Sequence, residues 1–133
     1  MWRWGDVAFY FAILAFSVWR RPHSPVLVVA LILCALAFPL WITARLQLGF
    51  AFSFRARAHH LVTTGLYSRI RHPVYLFGSI AALGSVLALQ VWWALLLVLL
   101  LAPITIARAV QEEQVLRAAF GEEYTRYRER TWF

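Results

Sequence analysis

Lysine is missing from this chain: all thirteen basic residues are arginine, set against six acidic ones. Cysteine is nearly missing too. Cys34 stands alone inside an apolar run, so no internal disulfide can form. The four histidines have no cysteine partners at zinc-finger spacing, and no metal site is expected. Charge of either sign is scarce, at 14% of residues, while hydrophobic residues make up 62%. A water-soluble domain of 133 residues would leave much of that apolar surface in water, so the composition points to a bilayer as solvent. The net charge of +7 does not point to nucleic acid, because the arginines flank apolar runs and do not line one polar face. Anionic lipid headgroups suit them better. No repeat or low-complexity segment interrupts the chain.

The apolar runs define the elements. Trp4 to Trp19 is a first candidate span, with Asp6 near its start where it can reach water. Ala15-Phe16-Ser17 has the small-residue look of a signal-peptidase site. Arg20-Arg21 and a second apolar run follow it directly, which favours a retained helix. Pro22 and Pro25 stiffen the connection to a second span, Val26 to Ala44, with no charge between Arg21 and Arg45. Pro39 should kink that span. No charge occurs again from His72 to Ala107, which is too long for one crossing of ~30 Å of hydrocarbon. The spacing predicts a tight hairpin of Pro73 to Leu89 and Trp92 to Ala107, with Gln90-Val91-Trp92-Trp93 as its tip. Gly78, Ser79, Gly84 and Ser85 would allow close helix approach, and Pro103 should bend the second arm. From Arg108 the chain turns polar and carries five of the six acidic residues. Phe120, Tyr124 and Tyr127 recur at helical spacing as an apolar seam, and Gly121 is placed to end a helix. The expected fold is therefore all-α: an integral membrane protein of about four transmembrane helices plus a C-terminal cytoplasmic helix, in one domain over 1–133.

Charge sets the expected orientation. With four spans, Arg3, the Arg45–Arg71 connection and the arginine-rich tail share one side, and only Arg20 and Arg21 lie on the other. The positive-inside rule puts both termini in the cytoplasm. The connection and the tail can then build one site.

The most informative stretch lies between the two apolar halves, from Leu61 to Tyr75. Gly65 permits a tight turn. His72 precedes Pro73, which biases it away from helical backbone and marks a helix boundary. Proline suits the first helical position. The N–H groups of that first turn would be free, and the helix dipole is positive there, so an anionic group on a small ligand could dock. The same residues also fit a plain juxtamembrane loop facing headgroups.

Four elements in order resemble the isoprenylcysteine carboxyl methyltransferase family and the related phospholipid methyltransferases. They are His59-His60-Leu61-Val62-Thr63-Thr64-Gly65-Leu66-Tyr67, Arg71-His72-Pro73-Val74-Tyr75, Arg108 with Glu112-Glu113, and Phe120-Gly121-Glu122-Glu123-Tyr124. The resemblance covers about residues 50 to 128. It implies a membrane enzyme that uses S-adenosylmethionine without a Rossmann domain, with 1–45 as an N-terminal two-helix part and 46–133 as the cofactor-binding core. Carried over motif by motif, His59, His60, Leu61, Val62, Tyr67, His72, Pro73, Val74, Tyr75 and Glu112 would line the cofactor. Arg108 would face a lipid-like or prenylated methyl acceptor. The chain departs from the family at Leu66, where proline is common after the glycine. It also lacks the proline-containing tail.

Methyl transfer from a sulfonium needs alignment above all. Tyr67 or Tyr75 could face the cation with its ring, and Arg108 could grip an acceptor carboxylate or phosphate bidentately. A carboxylate acceptor needs no base. An ammonium acceptor must first lose a proton, with Glu113 or His72 as candidates. Taken alone, Arg108 and Glu112 would be an ordinary helix-surface pair worth a few tenths of a kcal/mol. Two other classes remain open: an NADPH-dependent membrane reductase of the sterol reductase type, which shares Arg-His-Pro-x-Tyr, and a non-catalytic membrane scaffold.

Overall fold

The structure is a computed structural model that describes residues 5–20, 23–49 and 61–132. It is all-α. The helices are α1 (Gly5–Arg20), α2 (Pro25–Leu48), α3 (Pro73–Leu89), α4 (Ala94–Phe120) and α5 (Glu122–Arg130), with a short 3-10 turn at Gly65–Ser68. The only extended pairing among the described residues is an isolated parallel bridge between Ile70 and Trp132.

The centre of the molecule is the α2–α3 pair. Cys34, Ala37, Phe38 and Trp41 of α2 are buried against Ala81 of α3, with Val7, Tyr10 and Leu14 of α1 packed on the same cluster. Tyr10 meets Phe38 and Trp41 edge-on, with ring centroids 5.3 and 5.8 Å away. Small residues set the spacing, as the sequence suggests. A Cβ at Gly84 would lie 2.7 Å from Cys34 Sγ and 3.3 Å from the Ala30 carbonyl oxygen, and one at Gly78 would lie 3.0 Å from Trp41 Nε1. Ser85 keeps its hydroxyl satisfied on its own helix, donating to the Ala81 carbonyl at 2.8 Å.

Two expectations need correction. The hairpin tip is short, with Gln90 in left-handed backbone closing α3, but its arms are not tightly packed. The close partner of α3 is α2, because the glycines that allow approach face Cys34 and Trp41. The second arm also does not stop near Ala107. It continues as one helix to Phe120 through Pro103, and Gly121 ends it at φ +50. Nothing at Arg108 breaks a helix, and the change there is one of polarity only. That left-handed glycine puts Tyr124 and Tyr127 on α5, so Phe120 does not share a seam on one helix with them.

Of the described helices, α2 and α4 are long and apolar enough to cross a membrane, and α3 is a shorter apolar helix. No residue of α4 is buried, and Leu99, Leu100 and Leu96 are each more than 60% exposed. Such a face is costly in water and at no cost in hydrocarbon. At the N-terminal end, Asp6 does not simply reach water. Its carboxylate pairs with Arg45 at 2.5 Å, and that guanidinium lies 4.7 Å from the Trp41 ring centroid. The contact ties α1 to the far end of α2.

Gly84→Ala tests the packing. The substitution gains about 1 kcal/mol in helix propensity, while overpacking costs about 1–3 kcal/mol. The Ala30 contact is with backbone, which cannot swing aside. The expected outcome is a net loss of thermal stability in detergent, and a larger one for Gly84→Val. Gly5→Ala, with open space at its Cβ, should not be destabilising.

Candidate functional site

The helix boundary falls where the sequence puts it. His72 is the residue before α3, its side chain makes no cap, and Pro73 opens the helix. The first helical bond runs from Leu76 N–H to the His72 carbonyl at 3.0 Å. The N–H groups of Val74 and Tyr75 therefore precede the regular ladder. Pro73 is fully buried, and Val74 packs on the Cys34–Trp41 cluster.

This turn faces the acidic pair of α4. The Tyr75 hydroxyl donates to Glu112 Oε1 at 2.5 Å. Arg71 Nη1 donates to Glu113 Oε1 at 3.0 Å in a largely buried ion pair. His72 lies between them, its Nδ1 3.9 Å from Glu112 Oε2 and its Nε2 3.5 Å from Glu113 Oε1. Two motifs separated by the apolar hairpin thus meet at one end of the helices. Arg108, one turn before Glu112, is exposed and forms no ion pair with it among the described residues; its charge acts instead on Tyr75.

His72 Nε2 is buried without a hydrogen-bond partner among the described residues, while the Arg71 guanidinium and the Tyr124 hydroxyl face each other. Arg71 is close enough to Tyr124 to favour its phenolate, yet burial dominates and the Tyr124 pKa is raised. Unpartnered buried groups are costly. An imidazole nitrogen left in this state between two carboxylates suits a site that completes its bonds with a ligand.

The Leu61–Tyr67 loop is held from two sides. Gln47 Oε1 accepts from Leu66 N–H at 2.8 Å. Gly65 sits at φ +63 against the Gln47 side chain, where a Cβ would collide. The Tyr127 hydroxyl donates to the Tyr67 carbonyl at 2.7 Å. The Tyr67 ring and Leu61 are buried, and Val62 is half-buried. His59 and His60 lie outside the described residues. Burial pushes the Tyr67 and Tyr127 phenols up, the latter to about 12, so both are neutral donors at ordinary pH.

Comparison with known proteins places the chain in a family. A family model described as phospholipid methyltransferase matches residues 25–123. The chain belongs to that family. It is also similar to a protein-S-isoprenylcysteine O-methyltransferase of Schizosaccharomyces pombe, 36% identical over 94 residues, which is 66% of this chain and 40% of that protein. The chain thus spans about two-fifths of the length of that relative. No solved structure matches.

Sequence reasoning missed Arg71, which it left among headgroup-facing arginines, and the roles of Gln47 and Tyr127. Arg71 had a signal of its own, since it adjoins His72 inside the motif. The Tyr127 contact joins residues 60 apart, and only the turn at Gly121 aims it. Its role is testable. Tyr127→Phe should cost about 1 kcal/mol in denaturant unfolding. The native phenol has a pKa above its ordinary 10.0. Its stabilisation is therefore complete below pH ~10 and lost as pH rises through ~12. The variant should show a shallower alkaline loss of stability over that window.

Proposed function

We propose that this protein is an integral membrane methyltransferase that takes its methyl group from S-adenosylmethionine and delivers it to an anionic or amine head on an amphiphilic acceptor. The observation that carries this reading is the meeting of Arg71-His72-Pro73-Val74-Tyr75 with Glu112-Glu113. A scaffold has no use for a buried, unpartnered imidazole nitrogen beside a carboxylate pair. The reductase reading draws no support from the family match.

The residues fit such a cofactor. The first turn of α3 offers free N–H groups and positive dipole to a carboxylate. Glu112 offers acceptor oxygens to amino or hydroxyl groups. Tyr75 and Tyr67 offer rings near a cation. His59, His60, Leu61, Val62, His72, Pro73 and Val74 complete the proposed cofactor wall. S-adenosylmethionine supplies an electrophilic methyl on sulfur. The chain supplies alignment and exclusion of water. Arg108 is exposed on the neighbouring turn and holds the acceptor's anionic group. Glu113, paired with Arg71, is placed to take the proton from an ammonium acceptor, and a carboxylate acceptor makes no such demand.

In the membrane reading α1, α2, α3 and α4 each cross, both termini and the site lie on the cytoplasmic side, and 1–133 acts as one domain. The acceptor enters sideways from lipid along the exposed apolar face of α4.

Binding and transfer in detergent test this assignment. His72→Ala and Glu112→Gln should each weaken S-adenosylmethionine binding at least tenfold, as read by isothermal titration on folded protein. Arg108→Ala should spare that binding and abolish methyl transfer to lipid-extract acceptors, with only partial rescue by Arg108→Lys, because a point charge lacks the guanidinium fork. Unchanged binding in the first two variants would refute the cofactor site. Cysteine labelling at Ser68 and Thr131 should report the cytoplasmic face, and labelling at His23 the opposite one.

A further inference from the structure

The site above uses one flank of the Arg71–Tyr75 segment. On the other flank lies a groove of about 610 Å³ lined by Arg69, Ile70, Leu76, Arg130 and Trp132. Leu76 follows Tyr75 and so points about 100° around α3 from it, away from Glu112. The volume falls within the ~300–1,000 Å³ typical of small-molecule sites.

The tail builds this groove. Trp132 N–H donates to the Arg69 carbonyl at 2.6 Å, and Arg71 N–H to the Trp132 carbonyl at 3.2 Å. Ile70 and Trp132 form the parallel bridge that results. These bonds fix Arg130, the last residue of α5, across from Arg69. Both arginines are exposed, and neither forms an ion pair among the described residues. Trp132 is 80% exposed, an unusual position for a tryptophan pinned by its own backbone. Two cations sit over a floor of Ile70 and Leu76, at the level where an apolar helix begins.

We propose that this groove binds the headgroup of an anionic phospholipid of the surrounding leaflet. Arg69 and Arg130 hold the phosphate, Trp132 lies at the headgroup boundary, and the first acyl carbons run over Ile70 and Leu76. The chemistry follows from the residues: arginine forks match phosphate oxygens, basic clusters beside a membrane helix select anionic lipid, and tryptophan prefers the interface. The inference rests on the membrane reading of α3, and it makes the groove a lipid site separate from the one that carries the methyl chemistry.

The test titrates the full chain in neutral detergent micelles with fluorescently tagged phosphatidylglycerol or phosphatidylcholine, read by anisotropy. Phosphatidylglycerol should bind saturably and at least tenfold more tightly than phosphatidylcholine. The double variant Arg69→Gln/Arg130→Gln should remove that preference. Arg126→Gln/Arg128→Gln, with the same loss of charge outside the groove, should change affinity less than twofold. Glycerol phosphate without acyl chains should not compete. Equal binding of both lipids, an equal effect of the two double variants, or full competition by glycerol phosphate would each overturn the proposal. S-adenosylmethionine binding is measured on the same proteins and should be unchanged by Arg69→Gln/Arg130→Gln, so failure of the lipid site and failure of the methyltransferase reading are told apart.

Discussion

The Arg71–Glu113 ion pair holds together what packing alone does not. Helix α4 buries no residue, so its apolar half has no core to lock it in place. In lipid this is not a defect, because tails and leucine side chains are equally apolar and burial between helices gains little. It does mean that the position of α4 against α3 must be set by polar contacts at its far end. Arg71 to Glu113 and Tyr75 to Glu112 are those contacts, one from the loop before α3 and one from its first turn. Removing Arg71 would leave a carboxylate that is mostly shielded from water without its partner, which costs far more than the loss of a surface pair. The acidic pair therefore fixes the helix, and the proposed site is built against it.

The bilayer explains why those contacts must be strong. At 1.5 Å per residue, the uncharged part of α4 from Ala94 to Ala107 spans roughly 20 Å. That is less than the ~30 Å hydrocarbon core. Arg108, Glu112 and Glu113 then follow directly on the apolar stretch, where ionisable groups need partners. The same logic applies at Asp6, which reaches across to Arg45 at the end of α2. Both ends of the long connection between α2 and α3 are thus anchored by arginine, through Arg45 on one side and Arg71 on the other.

Much of this was legible in the sequence wherever one residue determines its own backbone. Pro73 marks the start of α3 and Gly121 the end of α4, and both boundaries fall where the chemistry of those residues requires. Gly84 and Gly78 announce a close helix contact, but not its partner. Nothing local says whether a glycine faces the preceding helix or the following one, and the choice of α2 rests on the shape of Cys34 and Trp41. The same blindness turned α4 into two elements, since a change from leucine to charge reads as a boundary although the backbone runs on unbroken. Motif order singled out Glu112 and Tyr75, and the structure brings these two into contact. The partners of Arg71 and Tyr127 lie 42 and 60 residues away, and such distances leave no periodic trace.

Glu112 and Glu113 are adjacent in sequence and yet differ in surroundings. Adjacent residues on a helix point about 100° apart. Glu113 turns inward to a guanidinium and is mostly covered, while Glu112 stays about 41% exposed, with only a neutral phenol as donor. Arg71 and His72 both approach Glu113 at Oε1, so the carboxylate that anchors the helix is engaged through one oxygen. Glu112, bonded through Oε1 to tyrosine, keeps its remaining acceptor lone pairs. His72 stands within reach of both, with one buried ring nitrogen unpartnered. The geometry thus separates the carboxylate that anchors α4 from the more exposed one by a single step along the helix. The more exposed carboxylate lies on the same face as Arg108, one turn away, so the proposed cofactor and acceptor contacts fall on neighbouring turns of one helix that Glu113 keeps in place.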